Sequence, residues 1–302
     1  MKRYLNVALT IFFLVAFAIY FAYNLNDFKI LLDIKIYYLF IIALLQFSVI
    51  LVNAYFFIFI LDGFKLKVNF KESLLITILS AIGNYFTPFR GGAGIRAIYL
   101  KRKHAFSYSK FLSTLAGNYI IVFLINSLIA LLSLSILLGS GKHVGIEAIL
   151  LFAGIFMSLT IIILFPISTK FLPWKKIALV VNGWNELIKN KPLIIKLIAL
   201  TLLNAFLGIF LYYIELYAIG VKTNLFYATI FSSISAISLL LSLTPGSLGI
   251  RESLLVLFQS SIALETSEIL AASVVDRGIY FFVMIILALF IRLINFDVKK
   301  VG

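Results

Sequence analysis

Uninterrupted apolar runs as long as the roughly 18–20 residues that a bilayer demands recur along this chain. Beside them stand two short stretches that no lipid-exposed helix could tolerate. One is Leu243-Thr244-Pro245-Gly246-Ser247-Leu248-Gly249-Ile250-Arg251-Glu252, with a proline, two glycines and two charges. The other is Thr87-Pro88-Phe89-Arg90-Gly91-Gly92-Ala93-Gly94-Ile95-Arg96. Both contain Thr-Pro and, after a glycine-bearing gap, Gly-Ile-Arg. Broken, charged backbone at membrane depth survives only inside protein or against a wet cavity. Two matching breaks are expected to form the two halves of one transport-type site.

The chain is 63% hydrophobic and only 13% charged, which defines an all-α polytopic membrane protein. Continuous rather than alternating apolar runs exclude a β-barrel. The absence of cysteine excludes disulfides, thiolate nucleophiles and cysteine metal sites. The net charge of +14 fits Lys and Arg retained in cytoplasmic loops and held against anionic lipid heads; no nucleic-acid partner is expected.

Full spans are expected at 5–25, 36–61, 109–138, 146–165, 193–220 and 266–291, about six in all. The first is longer than a signal-peptide core and lacks a small-x-small cleavage site, so it reads as a span. Segments 72–86 and 225–243 enter the membrane and run into the breaks, giving two re-entrant hairpin regions. Residues 254–264 are apolar but too few to cross. The whole chain, 1–302, reads as a single integral membrane domain. Within it, 166–192 is a cytoplasmic linker whose 174–188 portion has the pattern of an interfacial amphipathic helix with tryptophan anchors.

Charge fixes the expected topology. With re-entrant breaks and an inner N-terminus, only Lys29, Lys35, Lys142 and Lys222 of the 26 Lys and Arg fall outside. Arg90, Arg96, Arg251 and Arg277 lie in the membrane, and all the others fall inside. A first break that crossed fully would put Lys101-Arg102-Lys103 and the 166–192 loop on opposite sides, against the positive-inside rule. Both termini are then cytoplasmic in a multi-pass plasma-membrane protein. The hairpins enter from opposite faces, and 36–138 and 193–294 become inverted-topology repeats.

Each of the four intramembrane arginines costs about 2.5–3.5 kcal/mol to insert and needs a partner or water. Arg90 and Arg96 flank Gly91, Gly92 and Gly94, where bare amides and a helix N-terminus could cradle a phosphate. The same residues could equally form a glycine-packed bend whose arginines snorkel to the interface. P-loop spacing is absent. In the second half, Glu252 and Asp276 offset Arg251 and Arg277, either as a packing device or as ion pairs that exchange when a charged headgroup enters. Thr87 and Thr244, before Pro88 and Pro245, are placed to satisfy backbone groups freed by the kinks; Gly246 and Gly249 supply the second bend. Tyr119 and Tyr280 follow the two breaks at similar distances. Glu215, late in its span, is expected near the outer interface. His104 and His143 are too far apart for a metal pair, and no catalytic set for hydrolysis is present. No metal and no cofactor are expected.

The second motif, followed by Asp276-Arg277-Gly278-Ile279-Tyr280, resembles the signature of the lysylphosphatidylglycerol synthase transmembrane-region family, flippase-like integral membrane proteins. The 87–96 stretch resembles the family's first motif, with Arg90 and an extra Gly-Ala as departures. The resemblance implies translocation of an aminoacylated lipid. It also implies that lysine transfer belongs to a separate soluble domain; the chain ends soon after its last span, so no enzyme activity is expected. The expected function is a flippase-like transporter of a phosphate-bearing phospholipid, aminoacylated or not, or of a polyprenyl-phosphate-linked lipid. The alternative is an accessory subunit that presents such a lipid to a glycosyl- or aminoacyltransferase. A lipid-modifying enzyme and a second copy of the chain are the candidate protein partners.

Overall fold

The computed structural model describes residues 31, 33–165 and 175–293. Its elements are α1 Ile36–Asp62, α2 Phe70–Phe86, a 3-10 turn Pro88–Arg90, α3 Gly91–His104, α4 Tyr108–Gly139, α5 Ile146–Leu164 and α6 Lys175–Lys189. Then come α7 Lys191–Ala218, α8 Leu225–Ile237 with a 3-10 extension Ser238–Leu241, a 3-10 turn Pro245–Ser247, α9 Ile250–Leu257, α10 Gln259–Ile262 and α11 Thr266–Leu293. No strand occurs among the described residues. Among the described residues five helices, α1, α4, α5, α7 and α11, are long and apolar enough to cross a membrane. They match five of the six expected spans; the sixth, 5–25, lies outside the described residues, as do Trp174 and both chain ends.

Local sequence sets the helix starts. Asn69 caps α2 by accepting from the Glu72 N–H at 2.9 Å, and Asn224 caps α8 by accepting from Phe226 and Tyr227 at 3.0 Å each. So an asparagine opens each of the two helices that run into a break. Asn190 does the same for α7, with Pro192 in the first turn where its missing N–H costs nothing.

Packing is reciprocal between the halves. α1 lies against α7, α2 leans on α1 as α8 leans on α7, α4 packs along α8, and α11 packs along α2. Each half's long last helix therefore supports the broken helix of the other. α1 and α7 run antiparallel. Tyr38 meets Tyr217 with rings 5.9 Å apart, Asn204 donates to Asn53 at 2.9 Å, and Lys196 sits over the Phe59 ring at 5.3 Å. α5 is peripheral: Leu150, Met157, Ile161 and Leu164 face outward, as lipid-facing residues do.

One expectation is corrected. α6 forms where an amphipathic helix was read, but Trp184 is not an interfacial anchor. It is buried, 3% exposed, with its indole against Gly117 of α4, where a Cβ would sit 3.2 Å from the ring. Ser113 of α4 donates to the Val180 carbonyl at 2.9 Å. The indole's apolar surface is thus covered by protein, while its N–H meets no acceptor.

Candidate functional site

The two breaks share one backbone path. Thr87 and Thr244 are extended, at φ −122° and −98°. The prolines follow, and then come two left-handed residues: Phe89 and Arg90 at φ 54° and 53°, Gly246 and Ser247 at φ 57° and 55°. Non-glycine residues in this region cost roughly 1–2 kcal/mol each, so the surroundings must hold them. Thr87 Oγ1 donates to the Gly83 carbonyl, and Thr244 Oγ1 donates to the Leu248 carbonyl at 2.8 Å. Both threonines therefore satisfy carbonyls close to the kinks. The turns also touch each other.

After the turn the halves diverge. In the first, helix resumes at once, at Gly91. In the second, Leu248 and Gly249 (φ 80°) intervene before Ile250. Gly94 is therefore inside a helix, whereas Gly249 caps one, so the matching Gly-Ile-Arg triplets do not occupy matching places. Gly92 serves packing: it lies against the Ser80 carbonyl, and Gly83 faces it so closely that a Cβ on Gly83 would sit 2.7 Å from the Gly92 Cα. Gly91 sits against Thr87, and Gly94 has open space beside it.

Between these elements lies a cavity of about 420 Å³, within the roughly 300–1,000 Å³ of small-ligand sites. Its wall carries Arg90, Arg96, Arg251 and Arg277 together with Asp276, Tyr119 and Tyr280. Gln46, Asn53, Asn84 and Asn118 add neutral polar groups. All four arginines singled out in the sequence thus meet at one space, although they come from α3, α9, α11 and a turn. Glu252 is the exception: it is brought to the arginines but is not part of the cavity wall.

The charges divide unequally. Arg251 Nη1 is ion-paired to Asp276 Oδ2 and reaches Tyr212 Oη at 3.4 Å. Arg277 Nη2 meets Glu252 Oε1 at 2.7 Å, and its Nη1 donates to the Gly246 carbonyl at 3.0 Å. Glu252 Oε2 accepts from the Gly249 N–H at 2.8 Å, which caps α9. The second half is therefore neutralised. Arg90 donates to Tyr119 Oη at 2.6 Å, and Arg96 lies over the Phe57 ring at 4.3 Å. Neither has a carboxylate partner among the described residues. Arg96 Nε is buried with no hydrogen-bond acceptor.

Several residues of the site went unread in the sequence. Gln46 donates to Asp276 Oδ1 at 2.9 Å and to the Asp276 carbonyl at 3.1 Å. With Asn53 it is seven residues along one face of an otherwise apolar span, a spacing that could have flagged both. Glu215 is corrected: it is fully buried, 0% exposed, not interfacial. Its side chain is buried in the bundle although it stands three residues from the end of α7.

A separate cluster ties α2 to the end of α3. Glu72 Oε1 accepts from Tyr99 Oη at 2.8 Å, pairs with Lys103 Nζ at 3.0 Å, and meets His104 Nε2 at 2.7 Å. Burial alone would raise the Glu72 carboxyl, but the hydrogen bonds from His104, Tyr99 and Lys103 outweigh it and hold it below the ordinary value. A depressed carboxyl stabilises the fold above its unfolded pKa, and that stability is lost as pH falls through the folded value. Glu72→Gln should therefore lower stability by about 1–3 kcal/mol at neutral pH. Thermal melting in detergent should show the gap between variant and wild type closing as pH falls below about 4.

The fold and site together define a helical membrane protein with broken helices around an arginine-rich interior cavity. The chain belongs to the lysylphosphatidylglycerol synthase TM region family, whose sequence profile matches residues 5–288. No curated protein matches it closely enough to report.

Proposed function

We propose that the protein moves a phosphate-bearing lipid across the bilayer, with the headgroup passing through the arginine-lined cavity and the acyl chains remaining in lipid. The observation that carries this reading is the surplus of positive charge: Arg90 and Arg96 face the cavity with no acidic partner among the described residues. An interior cation without a counterion is costly, and guanidinium groups suit a phosphate geometrically. The family's description in terms of lysylphosphatidylglycerol supports a phosphatidylglycerol-like or aminoacylated headgroup; a polyprenyl phosphate presents the same chemistry.

Reciprocal packing and the antiparallel α1–α7 pair support reading 36–138 and 193–294 as inverted repeats about the cavity. In a multi-pass plasma-membrane protein so built, rocking of one half against the other would expose the cavity to each face in turn.

The test is fluorescent-headgroup translocation in proteoliposomes, comparing phosphatidylglycerol with a lipid that lacks phosphate. Arg96→Met removes an unpaired charge, so the protein should fold and melt as wild type. Phosphatidylglycerol translocation should fall about tenfold or more, the worth of one charge-assisted contact of roughly 1.5–3 kcal/mol. Unchanged translocation in Arg96→Met would sink the site assignment. Lipid binding without translocation would favour the presenting-subunit reading.

A further inference from the structure

The cavity wall also carries a neutral polar pattern that its arginines do not explain. On α1, Gln46 and Asn53 stand seven residues apart in the wall, and on α2 Thr77 and Asn84 do the same. Seven residues are about two helical turns, roughly 10 Å of rise. α1 and α2 run antiparallel, and Ser73 fixes their register by donating to the Ala54 carbonyl at 2.7 Å. Counted from that bond, Thr77 falls within a turn of Asn53, and Asn84 within a turn of Gln46. The four side chains therefore form two polar rungs on the α1–α2 wall. Charge stands at both ends of them. Arg96 lies over Phe57, one turn beyond Asn53, and the Arg251–Asp276 pair lies at Gln46.

The rungs are short of partners. Gln46 and Thr77 are buried, and Gln46 Oε1, Thr77 Oγ1 and Asn84 Oδ1 meet no hydrogen-bonding group of the protein. Arg96 Nε and Arg251 Nη2, at the two ends, are donors without acceptors. Buried polar atoms left this way are costly unless something from outside serves them. A hydroxyl both donates and accepts, so it serves carbonyl oxygens and guanidinium groups alike. An ammonium only donates, and it would face four arginines. Asp276 is the one acid in the wall among the described residues, and both its oxygens are engaged, by Gln46 and by Arg251. Aromatic rings, the other refuge for a cation, are taken by the arginines themselves: Arg90 sits over Tyr119 and Arg96 over Phe57.

We propose that the cavity selects a phosphate ester whose headgroup carries hydroxyls and no positive charge, a glycerol or a sugar, with the phosphate on Arg96 and the hydroxyls on the rungs of Asn53, Thr77, Gln46 and Asn84. The proposal rests on the lipid-headgroup reading of the cavity and narrows it to the unmodified polyol, against the aminoacylated form. A polyol phosphate brings one negative charge to a positive wall. A lysyl ester of the same headgroup brings two ammonium groups to that wall, where like charges repel, and it also consumes a hydroxyl.

The test uses the full chain purified in detergent and calorimetric titration with short-chain lipids. Dihexanoyl phosphatidylglycerol and dihexanoyl phosphatidylpropanol share the phosphate and a three-carbon ester, and differ only in the two hydroxyls. Wild type should bind the glycerol lipid about tenfold or more tighter, as one or two hydrogen bonds allow. The lysyl ester of dihexanoyl phosphatidylglycerol should bind about tenfold or more weaker than its parent. Thr77→Val and Asn84→Leu should each narrow the gap between the glycerol and propanol lipids. A loss shared equally by both lipids would mark a packing role and overturn the rungs. Equal wild-type affinity for the glycerol and propanol lipids, or a lysyl ester that binds as tightly as its parent, overturns the proposal and leaves the phosphate reading standing; these comparisons need no variant. Binding of none of the phosphate lipids overturns both. Glycerol 3-phosphate bound as tightly as the lipid supports the rungs and overturns the lipid part of the reading.

Discussion

Arg251→Ala is expected to destabilise the protein by about 3–5 kcal/mol and to abolish lipid translocation, because it breaks a buried ion pair and strands the acid. Asp276 would keep only its hydrogen bonds from Gln46 as side-chain partners. The lost translocation would by itself be ambiguous, since an unfolded protein also moves no lipid. The double variant Arg251→Met with Asp276→Leu separates the two effects. Well-packed apolar replacements of a buried pair are often neutral or stabilising, so the double variant should recover most of the melting temperature. It should still fail to translocate. A double variant that is both stable and active would show that the pair only packs α9 against α11.

The second large effect belongs to a glycine. Gly92→Ala is expected to cost about 3 kcal/mol or more, at the upper end of overpacking, because the added Cβ would overlap the Ser80 carbonyl. That neighbour is helix backbone, which cannot move aside as a flexible side chain would. The packed pair α2 and α3 would have to part, and Arg90 and Arg96 would leave their places with it. Gly94→Ala, two residues on, meets open space and should be neutral or stabilising by about 0.5–1 kcal/mol, as helix propensity dictates. Expression level and melting temperature of the two variants would show the contrast, and equal behaviour would refute the packing role assigned to Gly92.

These cases show what could be read from the residues alone. The five described spans were legible because hydrocarbon imposes length and apolarity on each of them, and their helix ends fell within a few residues of the expected positions. The breaks were legible because proline, glycine and arginine are so costly at that depth. What the sequence concealed was equivalence and direction. Gly-Ile-Arg occurs twice, yet Gly94 continues a helix while Gly249 starts one, and the correspondence that holds in space pairs Phe89 with Gly246 and Arg90 with Ser247. Backbone conformation is shared there by unlike residues, so no comparison of letters reveals it. Trp184 and Glu215 were misplaced for a related reason. Each was assigned an environment from its usual habit, and tertiary packing, against Gly117 for Trp184 and inside the bundle for Glu215, overrode that habit.

The two oxygens of Glu252 have divided duties. One meets Arg277 and Arg251, and the other holds the Gly249 N–H. If, as proposed, an arriving anion drew the arginines away, the second oxygen would keep its grip on the first turn of α9. The helix behind the break would not unravel, and the charges would change partners without the chain refolding. In the proposed transport cycle a substrate would then be gripped and let go by side-chain motions alone, leaving the slower rearrangement of whole helices to the step that turns the cavity from one face of the membrane to the other.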